Sequence, residues 1–172
     1  KFMIRDKLIR IVGLGALLAG AAFAGTNSAN LAPSASITSN CTITKKTEIS
    51  FGAYDPIAGT AVTTTGAVTV ACTSDVTGPK VTLGQGANPD TGSTNSAPLR
   101  RLKNGSSYLT YNLYSNTGYS TLWTNDTSSG YVAAADGDGT GHDITIYGKI
   151  DADQHAAPAG SYTDTVVATV TF

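Results

Sequence analysis

Apolar and polar residues alternate with a period of two through much of the chain from residue 31 onward. Over residues 31–43 the odd positions are Leu31, Pro33, Ala35, Ile37, Ser39, Cys41 and Ile43. The even positions are Ala32, Ser34, Ser36, Thr38, Asn40 and Thr42. One face is apolar and the other small or polar, the signature of a half-buried extended segment. The stretch is longer than a typical strand of about 5–6 residues, and no turn dipeptide inside it folds its first half onto its second. It therefore reads as two parts, an extended arm over roughly residues 29–37 and a first strand over 38–44. A tail without fixed structure is the plainer alternative for the arm.

The same alternation predicts the strands that follow. Ile49, Phe51 and Tyr54 continue the run until it breaks at Asp55-Pro56. Val68, Val70 and Cys72 share a face in a strand over 66–73, and Val81 and Leu83 mark another over 80–85. Residues 84–96 form a polar loop rich in Gly, Asn and Ser. Strands over 99–103 and 108–114 flank Asn104-Gly105, a strong short hairpin signal. Leu122-Trp123 and residues 130–132 are shorter candidates. Ile144, Ile146, Gly148 and Ile150 alternate against Thr145, Tyr147 and Lys149. In the closing segment, 161–172, Tyr162, Val166, Ala168, Val170 and Phe172 share one face and Thr163, Thr165, Thr169 and Thr171 the other. No window after residue 30 sustains a 3.6-residue period, and Thr, Ser, Gly, Ala and Val dominate the composition, so the chain reads as all-β. Short antiparallel strands at this spacing predict an immunoglobulin-like β-sandwich, with a barrel as the alternative. The strong final strand ends with nothing after it to protect its edge. An unprotected edge and an alternating arm are complementary, and strand addition between molecules satisfies both.

Residues 1–24 stand apart. Lys1, Arg5, Lys7 and Arg10 precede an uncharged run over 11–24 that closes on Ala22-Phe23-Ala24, the pattern of a secretory signal peptide with its cleavage site. The run is shorter and richer in Gly and Ala than the roughly 18 apolar residues a membrane-spanning helix needs. The whole chain has 11 basic and 12 acidic residues. Without the leader, 7 basic residues face 11 acidic ones, a net charge of −4 with no basic run. That balance gives no electrostatic footprint for nucleic acid or anionic lipid. The chain contains two cysteines, Cys41 and Cys72. Both fall in inward register on neighbouring strands, and in an exported protein they are expected to form a disulfide.

Motifs for other chemistry are sparse. Asp136, Asp138, Thr140 and Asp143 begin like a calcium loop, but Tyr147 stands where a bidentate Glu would be needed, so a Gly-rich connection is the simpler reading. His142 and His155 are the chain's histidines; neither accompanies a nucleophile motif, so no catalytic residue, metal or cofactor is assigned. Trp123 with Tyr108, Tyr111, Tyr114, Tyr119 and Tyr131 offers material for a sugar-stacking platform, although strand aromatics more often pack in cores. Asn40, Asn104 and Asn125 head glycosylation sequons.

Taken together, the blocks identify a resemblance. Cys41, then Ile49-Ser50-Phe51-Gly52-Ala53-Tyr54, Val68-Thr69-Val70-Ala71-Cys72, Tyr111-Asn112-Leu113-Tyr114, Ile146-Tyr147-Gly148-Lys149-Ile150 and the closing residues 160–172 follow the order and spacing of the spore coat protein U-like family, which includes major pilins of archaic chaperone–usher pili. The resemblance covers most of residues 38–172. It implies a sandwich lacking its last strand, completed by donor-strand exchange. The division it implies is a leader over 1–24, a donor arm over 25–37 and a pilin domain over 38–172. The donor face would be Leu31, Pro33, Ala35 and Ile37, and the acceptor groove would be lined in part by Val166, Ala168, Val170 and Phe172. Implied partners are identical subunits in a filament, with a periplasmic chaperone and an outer-membrane usher during assembly. The expected location is an extracellular pilus used in attachment and biofilm formation. The alternative is a self-contained secreted carbohydrate-binding domain.

Overall fold

The computed structural model describes residues 24–172. The leader expected over 1–24 thus lies outside the described residues, apart from Ala24 at its end. The chain divides into two units, Lys1–Ser36 and Ile37–Phe172. In the first, residues 24–36 carry no strand and every side chain is exposed.

The second unit contains eight strands: β1 Cys41–Thr47, β2 Val62–Cys72, β3 Lys80–Leu83, β4 Arg100–Asn104, β5 Ser107–Tyr114, β6 Val132–Ala133, β7 Gly141–Ile150 and β8 Ala168–Thr171. They form an antiparallel five-stranded sheet in the order β1-β2-β7-β5-β4 and a three-stranded sheet in the order β6-β3-β8. The described residues contain no helix, and the fold is an all-β antiparallel sandwich. Its core follows the alternation. Val68, Val70 and Cys72 of β2, Val81 and Leu83 of β3, Leu109, Tyr111 and Leu113 of β5, and Ile146 and Ile150 of β7 are buried in one cluster.

Trp123 ties the two sheets together. Its backbone N–H donates to Leu113 O of β5 at 2.9 Å, and its indole N–H donates to Val81 O of β3 at 2.9 Å. The side chain is fully buried, and Leu122 beside it forms a single bridge to Tyr114 instead of the short strand expected there.

Cys41 and Cys72 face each other across the β1–β2 ladder and are joined by a disulfide. By the chain-entropy estimate, closing a loop of 31 residues contributes about 3–4 kcal/mol. The β1–β2 register slips between Lys45 and Thr47, so Lys46 is an extra residue in the manner of a β-bulge. Its ammonium pairs with Asp143 of β7.

Four local expectations are corrected. The β4–β5 hairpin exists, but its closing pair is Asn104↔Ser107, so the turn residues are Gly105-Ser106. Only Gly105 takes a positive φ, +58°, which suits the first central position of a type II′ turn. Leu99 was expected to begin that strand, yet Leu99 is 45% exposed and Arg100 is 1% exposed. The Arg100 guanidinium donates to Gly84 O at 2.8 Å, Leu83 O at 2.9 Å and Trp123 O at 2.8 Å. Hydrogen bonds to three carbonyls make its burial tolerable, though burial still draws its pKa down to about 10.

The segment around Ile49–Tyr54 forms no strand. Its apolar side chains nevertheless pack on the core, because glycines make room for them. A Cβ on Gly66 would lie 2.4 Å from Ile49 Cγ1, and one on Gly148 would lie 3.0 Å from Phe51 Cζ. The closing segment, finally, is not one strand. Thr163 bridges Lys103 of β4, whereas Ala168–Thr171 pair with β3. The chain thus passes from one sheet to the other between them while keeping its even-numbered residues inward.

Candidate functional site

Two strand edges frame the site. Among the described residues β1 pairs only with β2, and β8 only with β3. Each therefore keeps one edge of backbone donors and acceptors without a strand partner, the condition that invites strand addition. Between them lies a cleft of about 300 Å³. One wall comes from β1 and the segment after it, with Ile43, Lys45, Thr47, Ile49 and Phe51. The other comes from the closing segment, with Asp164, Val166 and Ala168. Core residues of both sheets, Val68, Leu83, Leu113 and Ile146, form its floor.

The cleft has an apolar floor and a polar rim along β1, and the closing segment contributes one polar residue, Asp164. One carboxylate oxygen accepts the Tyr111 hydroxyl at 2.6 Å. The other accepts Ala87 N–H at 2.9 Å and Asn88 Nδ2 at 3.1 Å. These bonds anchor the point at which the chain changes sheets. Burial, reinforced by the hydrogen bond to a carboxylate, pushes the Tyr111 hydroxyl well above the usual phenol range. The Tyr111 proton is therefore held on the bond to Asp164, and the contact is a structural brace. On the β1 rim, Lys45 pairs with Glu48, an exposed contact worth little by itself.

Of the residues expected to line an acceptor groove, Val166 and Ala168 line this cleft. Val170 shares their face and packs on the core, and Phe172 is 57% exposed. The expected donor residues Leu31, Pro33, Ala35 and Ile37 are all exposed and outside any strand, Leu31 and Ile37 each at 90%. Ile43, Ile49 and Phe51 add a wall that the alternation alone does not assign to the site. Its signal was present, since these three share the odd parity that marks an inward face.

Other candidate groups turn to local partners. Asp136 accepts Gly78 N–H at 2.7 Å, Asp138 accepts the N–H and hydroxyl of Thr140, and Asp143 accepts Thr69 Oγ1 at 2.7 Å. The Thr140 side chain and backbone, with His142, hold Asp138 down at about 2. Among the described residues no group of three His, Cys, Asp or Glu is placed to hold a metal ion. His155 lies 3.8 Å from Asp153 in an exposed loop. The aromatic residues do not assemble into one platform. Trp123 and Tyr111 are buried and offer no free face. Tyr131 lies under Lys80 and Tyr108 under Arg101, while Tyr119 packs edge to face on both Tyr114 and Tyr147.

The Spore Coat Protein U domain model matches residues 27–169 of this chain. Protein U of Myxococcus xanthus is 37% identical to it over 159 residues, covering 87% of each chain. Among solved structures, the minor tip subunit HdaB of the E. coli Hda pilus is similar over 76% of this chain and 79% of its own, with a TM-score of 0.37 and 13% identity. That last likeness is too slight to bear on function. The match from residue 27 to residue 169, with more than a third of residues shared with a relative of like extent, places the chain in the Spore Coat Protein U domain family.

Proposed function

We propose that this protein is a structural pilin subunit whose copies polymerise by donor-strand exchange. Residues 25–37 act as the donor arm and 38–172 as the domain that receives it. The observation that carries the reading is a cleft with an apolar floor, framed by the unpaired edges of β1 and β8, in a chain that also displays an exposed segment with matching alternation. In the filament, Leu31, Pro33, Ala35 and Ile37 of one copy face into the cleft of the next, against Val166, Ala168 and the β1 wall, with Val170 and Phe172 extending the acceptor strand.

The energies are of the right size. Burying Leu31 and Ile37 contributes about 1.5–3 kcal/mol each. Each new ladder hydrogen bond adds roughly 0.5–1.5 kcal/mol net, and Pro33 removes one of them. A head-to-tail joint of this kind does not close on itself, so it propagates as a filament.

Residues 1–24 direct export. A periplasmic chaperone occupies the cleft with its own strand until an outer-membrane usher exchanges it for the next arm, and the product is an extracellular pilus serving attachment and biofilm formation. The role is structural, without catalysis or cofactor. Deleting residues 25–37 tests it. The truncated protein should still bind its chaperone but should no longer form oligomers that resist SDS until heated. Oligomers that persist without the arm would refute the proposal.

A further inference from the structure

We propose that a groove between β7 and the end of β6 binds a neutral carbohydrate chain, with one sugar ring stacked on Tyr147 and sugar hydroxyls bonded to the free backbone groups of Asp143 and Thr145. The site is separate from the cleft between β1 and β8, and it does not rest on the strand-exchange reading.

The larger sheet has a gap on this side. Just past β2, Thr73 N–H donates to Asn40 O at 2.9 Å. Odd-numbered residues of β2 therefore turn their backbone groups toward β1, and even-numbered ones toward β7. The even residues Gly66, Val68 and Val70 lie opposite Ile146, Ile144 and His142. Asp143 and Thr145, which alternate with these, aim their N–H and C=O groups away from β2. On that side β5 pairs with β7 only over Asn112–Tyr114, opposite Lys149–Tyr147. Ser115 already turns away, its N–H donating to Thr121 O at 3.0 Å. Among the described residues no strand lies beside Asp143 and Thr145 there, so their donors and acceptors face an open edge.

A cavity of about 480 Å³ occupies the gap, with β7 as one wall and Ala133–Ala135 as the other. Its lining takes Ile144 from the inward parity of β7 and Asp143 and Thr145 from the outward parity, so it runs along the edge of the strand. Tyr147 also lines it and links it to a cluster of tyrosines. Tyr114 is the cross-strand partner of Tyr147. Tyr119 stands nearly perpendicular to both rings, 5.7 Å from Tyr114 and 6.4 Å from Tyr147 between centroids. Tyr119 holds a φ of +51°, a left-handed conformation uncommon for a residue with a bulky side chain. Its N–H donates to Asn116 O at 3.2 Å, and Thr121 N–H donates to Asn116 Oδ1 at 3.0 Å. The loop thus braces the Tyr147 ring, which stays partly exposed.

Charge selects the class of ligand. The Asp143 carboxylate pairs with Lys46 and accepts the Thr69 hydroxyl, and His142 Nε2 lies 3.0 Å from the Asp138 carboxylate. Both ionisable groups lining the groove already have partners, so it offers no spare charge to an ionic ligand. What it offers is an aromatic ring next to free backbone donors and acceptors. A sugar matches both, because each hydroxyl donates and accepts and the polarised C–H groups of one ring face meet the electron-rich face of an aromatic ring. An added peptide strand matches only the backbone groups. β5 holds the place beside Tyr147, so such a strand stops at Thr145 and leaves the tyrosine ring unused.

Hydrogen exchange over residues 141–147 of the full chain, read by mass spectrometry, tests the site whether copies are separate or joined. The probes are cellohexaose, maltohexaose and mannohexaose at millimolar concentration, with a threonine–alanine hexapeptide and a sulfated dextran oligomer for comparison. At least one neutral hexasaccharide should slow exchange of the Asp143 and Thr145 amides at least about tenfold, as new hydrogen bonds to them require. Tyr147→Phe should keep that protection, and Tyr147→Ala should raise the sugar concentration needed at least about tenfold. Protection by none of the three sugars overturns the proposal, as does protection confined to residues outside the groove. Stronger protection by the sulfated chain refutes the charge argument and the proposal with it. Protection by the hexapeptide alone assigns the groove to strand addition instead. These measurements on the wild-type chain stand even if Tyr147→Ala does not fold, and a folded Tyr147→Ala that binds as wild type does also overturns the proposal.

Discussion

If copies join by strand exchange as proposed, replacing Leu31 and Ile37 together by alanine separates the filament joint from the stability of the single domain. Each substitution removes three carbon atoms. At about 0.8 kcal/mol per buried methylene, the pair forfeits about 5 kcal/mol of joint energy, or about three and a half decades of affinity at 1.4 kcal/mol per decade. Both side chains are 90% exposed in the monomer, so the isolated protein should change by no more than about 0.5 kcal/mol. Two measurements on the same preparation decide the matter. One is the rate at which oligomers dissociate in SDS at fixed temperature, and the other is the urea midpoint of the monomer. The double variant should dissociate orders of magnitude faster, with its urea midpoint unmoved. An unchanged dissociation rate would mean that these residues do not fill the joint. A midpoint lowered by several tenths molar would mean that they already pack against their own domain.

Three further outcomes follow from particular contacts. Converting Cys41 and Cys72 to alanine should lower the unfolding free energy by about 3–4 kcal/mol in a urea titration, and a loss below about 1 kcal/mol would discount the loop-closure account. Arg100→Met keeps much of the volume but leaves the carbonyls of Leu83, Gly84 and Trp123 without their donor; at about 1–3 kcal/mol for each buried acceptor, the loss should reach at least about 3 kcal/mol, and a variant as stable as wild type refutes a stabilising role for these three hydrogen bonds. Hydrogen bonds from Ser39 and Thr73 lower the Asp75 pKa from its ordinary value of 3.8. The stabilisation they provide is therefore complete above that value and lost as pH falls through the lower folded pKa. The protection factors of the Asn40 and Thr73 amides should drop on acidification in wild type but not in Asp75→Asn, and parallel behaviour of the two would show that Asp75 does not hold residues 39–40 against β2.

Side-chain parity carried most of what could be read without coordinates. The inward faces of β2, β5 and β7 follow directly from alternation, and Cys41 and Cys72 meet because both obey it. Parity reports which way a residue faces, however, and not which strand it pairs with. Residues 49–54 point inward yet join no ladder, their place being cut by missing side chains at Gly66 and Gly148. Residues 161–172 keep one parity throughout while their partner changes from β4 to β3, a switch anchored by Asp164 through contacts with Tyr111, Ala87 and Asn88 that are remote in sequence. Arg100 escapes any hydropathy argument, since three carbonyl groups brought together by the fold make a buried cation acceptable there. Half of the cleft wall was legible in the closing strand. The other half, Ile43, Ile49 and Phe51, had the right pattern but nothing to say that it faced β8.

The disulfide has a mechanical meaning if copies are linked through their arms. Tension on such a fibre would enter each subunit just ahead of Cys41, at the end of an edge strand, where a lone ladder of hydrogen bonds peels easily. The covalent link at that point hands the load directly to β2, a central strand bonded on both sides. The 31-residue stretch between the two cysteines is thereby kept from paying out under tension. Without the link it could pay out roughly 100 Å of slack at about 3.3–3.6 Å per residue. A pulled fibre of the oxidised protein would stay short under loads that lengthen its reduced form.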